Sequence, residues 1–391
     1  MKTATLIPLF GFATLSLVGG QEEATCNAPA PFDASAAPSD VYIILGVSTG
    51  GFFQDLLSGM MTQAPFIGES GVNPVIMEAE NGDFAEMATF VTEAAQNKKT
   101  VGIVTVDGSQ ESMCGAIQEA IETHNVSVVS FDFKGGACVT GKHVLTAQAD
   151  DDMASFVLQQ AQDQHPGNGI QVGYVSDLNF EPLINRDVVW NSFKFANGWE
   201  QAFFVENPAN FSALEDLVEA IAAELEENPQ VDFIYAPWDY LAGAALSALE
   251  IVNDTTTDSV YGADINDEDI ALMIADGSLW KATAGADPKA IGASLMRMVA
   301  LSATGDLASS DIVIPTTLIT QEFLLDNQVS SMETMRAAMP EIQLDDFVEA
   351  CWMKATFDNE TSSGVSRGWD CLDPWTMMSI TLGAIASLRL L

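Results

Sequence analysis

The sequence predicts an α/β protein of two doubly wound lobes, each a parallel sheet with helices on both faces. Two observations carry the prediction. Short apolar, β-branched runs alternate with stretches of helical spacing from residue 41 onward, as βαβ units require. The alternation starts again near residue 153, and 391 residues accommodate two lobes of about 150 residues each.

In the first set, strands are expected at 41–47, 74–78, 100–106 and 126–131, with helices at 53–62, 84–97 and 111–124 between them. The second set reads as helix 153–162, strand 169–175, helix 188–203, a short strand 203–206, helix 213–226, strand 231–236, helix 241–251 and strand 259–264. Beyond it lie only a strand at 280–284, a helix at 290–303 and a strand at 312–319, too few elements for a third domain. They therefore return to complete the two earlier sheets, which makes both lobes discontinuous in sequence. Residues 21–40, rich in Ala and Pro, read as a flexible leader, and residues 329–363 as a C-terminal extension with helical patches.

Hydrophobic residues make up 48 % of the chain, enough for a sizeable core. Against 14 Lys and Arg stand 55 acidic residues, a formal charge of −41. Nucleic acid is excluded as a partner, because phosphate backbones are held by clustered cations; the carboxylates read as a solvated surface. Lys2, the apolar run 4–17 and Val18-Gly19-Gly20 describe a secretory signal peptide over 1–20. The small triplet Ser362-Ser363-Gly364, the polar segment 365–374 and the apolar run 375–391 suit a glycolipid anchor signal, with a short transmembrane tail as the alternative for 364–391. Both ends thus point to the secretory pathway and to an extracellular or cell-surface protein anchored through its C-terminus. Asn-x-Ser/Thr sequons at Asn125, Asn210, Asn253 and Asn359 agree with a glycoprotein. Of five cysteines, cleavage near Ser363 would remove Cys371 and leave an even four.

Gly46-Val47-Ser48-Thr49-Gly50 fits the nucleophile-elbow pattern G-x-S-x-G between a strand and a helix. It follows the first strand, however, before any strand that could supply an oxyanion hole, and His124, His143 and His165 are the only histidines for a base. The chain has no P-loop lysine, H-E-x-x-H, C-x-x-C or EF-hand ligand series, so neither a cofactor nor a metal is expected. What it does carry is aromatic and acidic residues after its strands: Phe52 and Phe53, Asp132, Trp238 and Asp239, and Asp264. Ligands of open α/β sheets bind outside those strand ends. Sugar rings combine apolar CH faces with hydroxyl rims, and flat aromatic side chains beside carboxylates meet both.

On these stretches the chain resembles the type I periplasmic binding proteins, in particular their ribose- and galactose-binding group, over about residues 41–328. VSTGGFF resembles the first ligand loop and implies Ser48, Phe52 and Phe53 as ligand-binding residues; VSVVSFD implies Asp132. EPLINRD resembles the segment with a sugar-binding Arg, here Arg186, and NPANF the segment with an aromatic of the C-terminal lobe, here Phe211. VDFIYAPWDYLAGAALSAL places Trp238 where an Asn is usual and retains Asp239, and SVYGADINDEDIALMIADGSLWKATAGADPKAIG puts Asp264 at a hydroxyl-binding position. The first loop is shorter than usual and lacks a polar Asn, Phe133 stands where an Arg is common, and Ala286 replaces a hinge Gln that bonds ligand. These departures remove sugar hydrogen bonds and add aromatic surface, so a ligand more apolar than ribose is implied.

The resemblance also implies a clam-shell layout: one lobe of 41–147 plus 286–315, the other of 148–285 plus 316–328, joined by a hinge. It pairs Cys114 with Cys138 near the binding edge, leaving Cys26–Cys351, or Cys351–Cys371 if the tail stays. The function implied is that of a solute-binding protein without catalysis, capturing a small sugar or polyol for a membrane transporter or a receptor. Two readings of other classes stand beside it: a serine hydrolase using Ser48, and a cell-surface interaction protein that has lost ligand binding.

Overall fold

The computed structural model describes residues 26–33, 37–46, 50–207, 214–253, 256–344 and 347–353. The first sheet holds β1 (Ser39–Leu45), β2 (Val72–Glu78), β3 (Thr100–Val106), β4 (Ser127–Phe131), β5 (His143–Gln148) and β11 (Asp311–Ile314) in the order β2-β1-β3-β4-β5-β11, all parallel. The second repeats that order with β6 (Gln171–Ser176), β7 (Glu200–Glu206), β8 (Phe233–Tyr235), β9 (Ser259–Tyr261), β10 (Trp280–Gly285) and β12 (Thr317–Thr320), as β7-β6-β8-β9-β10-β12, with β12 antiparallel to β10. In each sheet the first strand lies between the second and the third, so the winding reverses beside β1 and beside β6. Such switch points open a crevice at the strand ends.

The central strands read VYIIL, GIVTV and VVSF because both faces are covered; Ile43, Ile44, Val104, Ile103, Val128 and Val129 are all buried. Helices α1 (Gly51–Gln63), α2 (Phe84–Gln96) and α3 (Gln110–Glu122) follow the first three strands, and α9 (Pro288–Thr304) returns to this lobe late in the chain. In the second lobe α4 (Asp150–Gln164), α5 (Glu181–Asn197), α6 (Leu214–Glu227), α7 (Asp239–Val252) and α8 (Asp267–Ile274) flank the sheet. Caps set several of these ends: Asp83 accepts from Ala85 N and Glu86 N before α2, and Asn266 and Asp269 form a reciprocal capping box on α8. Helices α1 and α9 cross where both are glycine. A Cβ on Gly59 would lie 1.9 Å from the Lys289 carbonyl oxygen, and one on Gly292 1.9 Å from that of Leu56, so only glycine fits at either position.

Several elements differ from the sequence expectation. Strand β5 was not anticipated, because His143, Thr146 and Gln148 interrupt its apolar run. The single strand expected at 312–319 is two, broken at Pro315, and its halves join different sheets. Helix α5 begins at Glu181, with Pro182 in its first turn, and ends at a left-handed Gly198, so 198–203 is not helical. The leader was expected to be a flexible arm, but its described residues are packed. Phe32 is 2 % exposed and stacks on Trp352 at 5.6 Å, and Cys26 is bonded to Cys351. The second disulfide is Cys114–Cys138, so Cys351 is not paired with Cys371.

Beyond β12, the chain continues through α10 (Gln321–Asp326) and α11 (Met332–Ala338). The signal peptide and the anchor segment lie outside the described residues. No helix among the described residues is long and apolar enough to cross a membrane.

Candidate functional site

Three aspartates mark the strand ends facing the other lobe. Asp107 follows β3, Asp132 follows β4 and Asp264 lies just beyond β9, each with positive φ (65°, 53° and 69°). A non-glycine residue rarely holds that conformation, and short polar side chains tolerate it best. All three are buried. The left-handed turn bends each chain away from its sheet direction directly at the crevice edge.

The cleft between the lobes is nearly closed, with a cavity of about 10 Å³, room for about one water. Its polar lining is Asp132, Gln148, Arg186 and Asp264. Its apolar lining is Phe52 and Phe53 from the start of α1, with Phe180, Pro182, Leu183 and Trp238 from the second lobe. The aromatic pairs have fixed geometry. Phe52 and Phe53, each 5 % exposed, meet edge to face at 5.4 Å, while Phe180 and Trp238 stack at 5.9 Å. Phe52 and Phe53 come from the helix after β1, and Phe180 and Arg186 from the segment after β6, so both switch points deliver side chains to one cleft.

Arg186 is the only cation lining the cleft among the described residues and is 3 % exposed. Its Nε donates to Asp150 Oδ1 at 2.9 Å, and its Nη1 donates to the Pro237 carbonyl at 2.6 Å and to Asp264 Oδ2 at 3.2 Å. Burial works against its charge, but Asp264 and Asp150 reverse that and hold its pKa above the ordinary value. Asp150 is pushed up by burial and drawn back by Arg186. Asp132 has no side-chain hydrogen bond within the described structure, and burial first, then repulsion from Asp150, raises its pKa well above the usual carboxylate range. A buried acceptor with no donor is costly, and a ligand hydroxyl would satisfy it.

The sequence-predicted residues fall into three groups. Phe52, Phe53, Asp132, Arg186, Trp238 and Asp264 meet in the cleft. Ser48 and Phe211 lie outside the described residues, as do Asn210 and Asn359. Asp239 is absent from the cleft lining; its carboxylate accepts from Asn266 Nδ2 at 3.0 Å and from Tyr240 N at 2.6 Å, and so orders the loop after β9. Sequence reasoning missed Gln148, Phe180, Pro182 and Leu183, and it missed Asp150 as the partner of Arg186. For Phe180 and Pro182 a signal existed, since they precede and open the helix that carries Arg186.

None of the three histidines lines the cleft. His143 accepts from Cys138 N through Nδ1 at 3.0 Å and bonds Ser130 Oγ through Nε2 at 2.7 Å, and burial pushes its pKa down to about 4. His165 bonds Ser259 Oγ at 2.7 Å, and His124 lies 3.7 Å from Glu119.

The buried carboxyls make the ligand-free protein sensitive to pH. Burial pushes Asp107 up to about 7, and it pushes Asp239 to about 7 with repulsion from Asp264 added. Both values lie above the unfolded value of about 3.9, so the folded form binds more protons than the unfolded chain between about pH 4 and 7. The stability they allow is fully present below that window and falls as pH rises through it. The melting temperature of Asp107→Asn relative to the parent protein should accordingly rise between pH 4.5 and 7.5, whereas a constant difference would mean that Asp107 does not titrate there.

No protein-family model matches the chain, and no curated protein matches it in sequence. Solved structures do. A 5-methylthioribose transporter solute-binding protein from Thermotoga lettingae, determined with 5-methylthioribose, is 26% identical with a TM-score of 0.74 over 81% of this chain and 98% of that one. A sugar ABC transporter protein from Yersinia enterocolitica is 21% identical, TM-score 0.73, over 81% and 93% of the two chains. A Mycobacterium smegmatis protein in complex with β-D-fucofuranose is 17% identical, TM-score 0.65, over 77% and 98%. With two parallel-dominated lobes, three chain crossings between them and these neighbours, the chain has the fold of the type I periplasmic binding proteins, and the structures it is similar to are solute-binding proteins of sugar transport.

Proposed function

We propose that the protein captures a small carbohydrate-like solute in the cleft between its lobes, without catalysis, and delivers it to a membrane transporter or a receptor. The observation that carries this is the pairing of an unbonded buried carboxylate, Asp132, with facing aromatic side chains in one small cleft. Asp132 and Asp264 accept from ring hydroxyls, Arg186 donates to a ring or hydroxyl oxygen, and Phe52, Phe53 and Trp238 cover the CH faces. Ser48 and Phe211, which lie outside the described residues, belong to the same set on the sequence resemblance alone.

The 5-methylthioribose-bound neighbour suggests the ligand's character. A pentose carrying a thioether in place of a hydroxyl has the greater apolar area that Trp238 at the cleft implies; Phe133, expected to add to it, instead packs edge to face on His143 in the first lobe. Export and surface anchoring through 364–391 belong to the same reading. So does glycosylation at Asn125 and Asn253, which hold the left-handed conformation at element ends (φ 54° and 48°).

A melting-temperature screen with 5-methylthioribose, D-ribose and a series of alditols tests the proposal, followed by titration calorimetry on the best binder. A ligand at 100 times its Kd stabilises the folded state by about 2.7 kcal/mol, and the shift should vanish in Phe53→Ala and Asp132→Asn. A well-folded protein that responds to none of these solutes would overturn the reading and favour an interaction surface instead.

A further inference from the structure

Gln148 ends β5, where the chain leaves the first lobe; Ala286 follows β10, where it returns. The carboxamide of Gln148 joins these two crossings to the cleft. Its Oε1 accepts from Ala286 N at 3.2 Å, and its Nε2 donates to Asp264 Oδ1 at 2.5 Å. The residue is 5 % exposed and lines the cleft. Its orientation follows from chemistry: turning the amide over would set a donor against the Ala286 N–H and an acceptor against a carboxylate. One Nε2 hydrogen has no partner within the described structure.

We infer that Gln148 is the positioning residue that couples the cleft to the hinge. It holds the Asp264 carboxylate in place, with Arg186 bonding the other oxygen, and it fixes the distance between two of the three crossings. Any movement of Asp264 toward a ligand pulls through one rigid amide on the backbone of Ala286. The remaining N–H can donate to a ligand oxygen without loosening either bond. Lobe closure and carboxylate placement are thus set by the same side chain. This rests on the proposed function only for its ligand; the hinge coupling stands in the ligand-free protein.

The test compares the parent protein with Gln148→Leu and Gln148→Glu, using fluorescence energy transfer between labels at the exposed positions Thr89 on α2 and Ser192 on α5. Leu keeps the shape and removes both bonds. Glu keeps the shape and one acceptor, and when protonated it can also donate to Asp264. When ionised it confronts Asp264 in a cleft that already contains Asp132 and Asp150, with Arg186 the only cation lining it among the described residues. The expected result, without ligand, is a shift of the Leu variant to longer label distances at every pH. The Glu variant should match the parent at pH 5 and shift like the Leu variant at pH 8. Distances that track the parent in both variants at both pH values would overturn the inference, since a merely space-filling role predicts that. Should Gln148→Leu fail to fold, the pH comparison in Gln148→Glu decides alone. Parent protein that does not respond to 5-methylthioribose or to the other solutes would count against the proposed function and leave this readout unaffected.

Discussion

Arg186→Met should abolish solute binding and lower folding stability by about 3–5 kcal/mol, the loss typical of removing one partner from a buried ion pair. The substituted side chain would fill much of the volume but leave Asp150 and Asp264 without their shared donor, at 2.9 and 3.2 Å from the vacated guanidinium positions. The Pro237 carbonyl would lose its bond as well. The deficit should depend on pH in a definite sense. Asp150 and Asp132 already sit above the ordinary carboxylate range, and loss of the cation raises them further. Groups whose folded pKa exceeds the unfolded value are neutral and harmless at low pH, and their cost grows as pH rises through the folded pKa. Urea denaturation at pH 4.5 and 7.5 should therefore show a larger gap between variant and parent at the higher pH. Retained binding, or an equal gap at both pH values, would mean that Arg186 only packs.

How far the cleft could be read from sequence depends on how local each contribution is. Phe52 and Phe53 stood out as adjacent aromatics after a glycine-rich turn, and in the structure both border the cleft while lying 5 % exposed within one hydrophobic core. Asp132 and Asp264 were legible as acids immediately beyond apolar strands. Arg186 was legible through its segment, yet its charge is held by Asp150, which belongs to the preceding helix and carries no mark among three consecutive aspartates. Gln148 acts on residues 116 and 138 positions away, and nothing in HVLTAQ announces that. The missed strand β5 has the same origin: its polar residues are tolerated because His143 and Gln148 find partners from other segments.

The double variant Cys26→Ser/Cys351→Ser should lose more stability than Cys114→Ser/Cys138→Ser, although neither Cys26 nor Cys351 lines the cleft. A crosslink restricts the unfolded chain in proportion to the logarithm of the loop it closes. The sequence separations of 325 and 24 residues correspond to about 6 and about 3.5 kcal/mol by that entropy argument, with measured effects reaching about 5. The longer loop also has a native-state role. After α10 the chain is tied to the second lobe where Met332 N donates to Asp267 Oδ1 at 2.6 Å. It then reaches the hinge, where Arg336 pairs with Asp287, the cap of α9, and Ile342 O accepts from Asp287 N at 3.3 Å. It ends on the first lobe, where Leu344 O accepts from Arg297 Nη2 at 3.4 Å, Met353 pairs with Ile67 and Trp352 stacks on Phe32. The segment is a fourth connection between the lobes, and Cys26–Cys351 fastens its far end. Thermal melts of both double variants test the order of stability, and small-angle scattering of the ligand-free protein tests the strap: loss of Cys26–Cys351 should increase the radius of gyration, and loss of Cys114–Cys138 should not. An unchanged radius in both would show that the noncovalent contacts from Met332 to Leu344 hold the lobes without the disulfide.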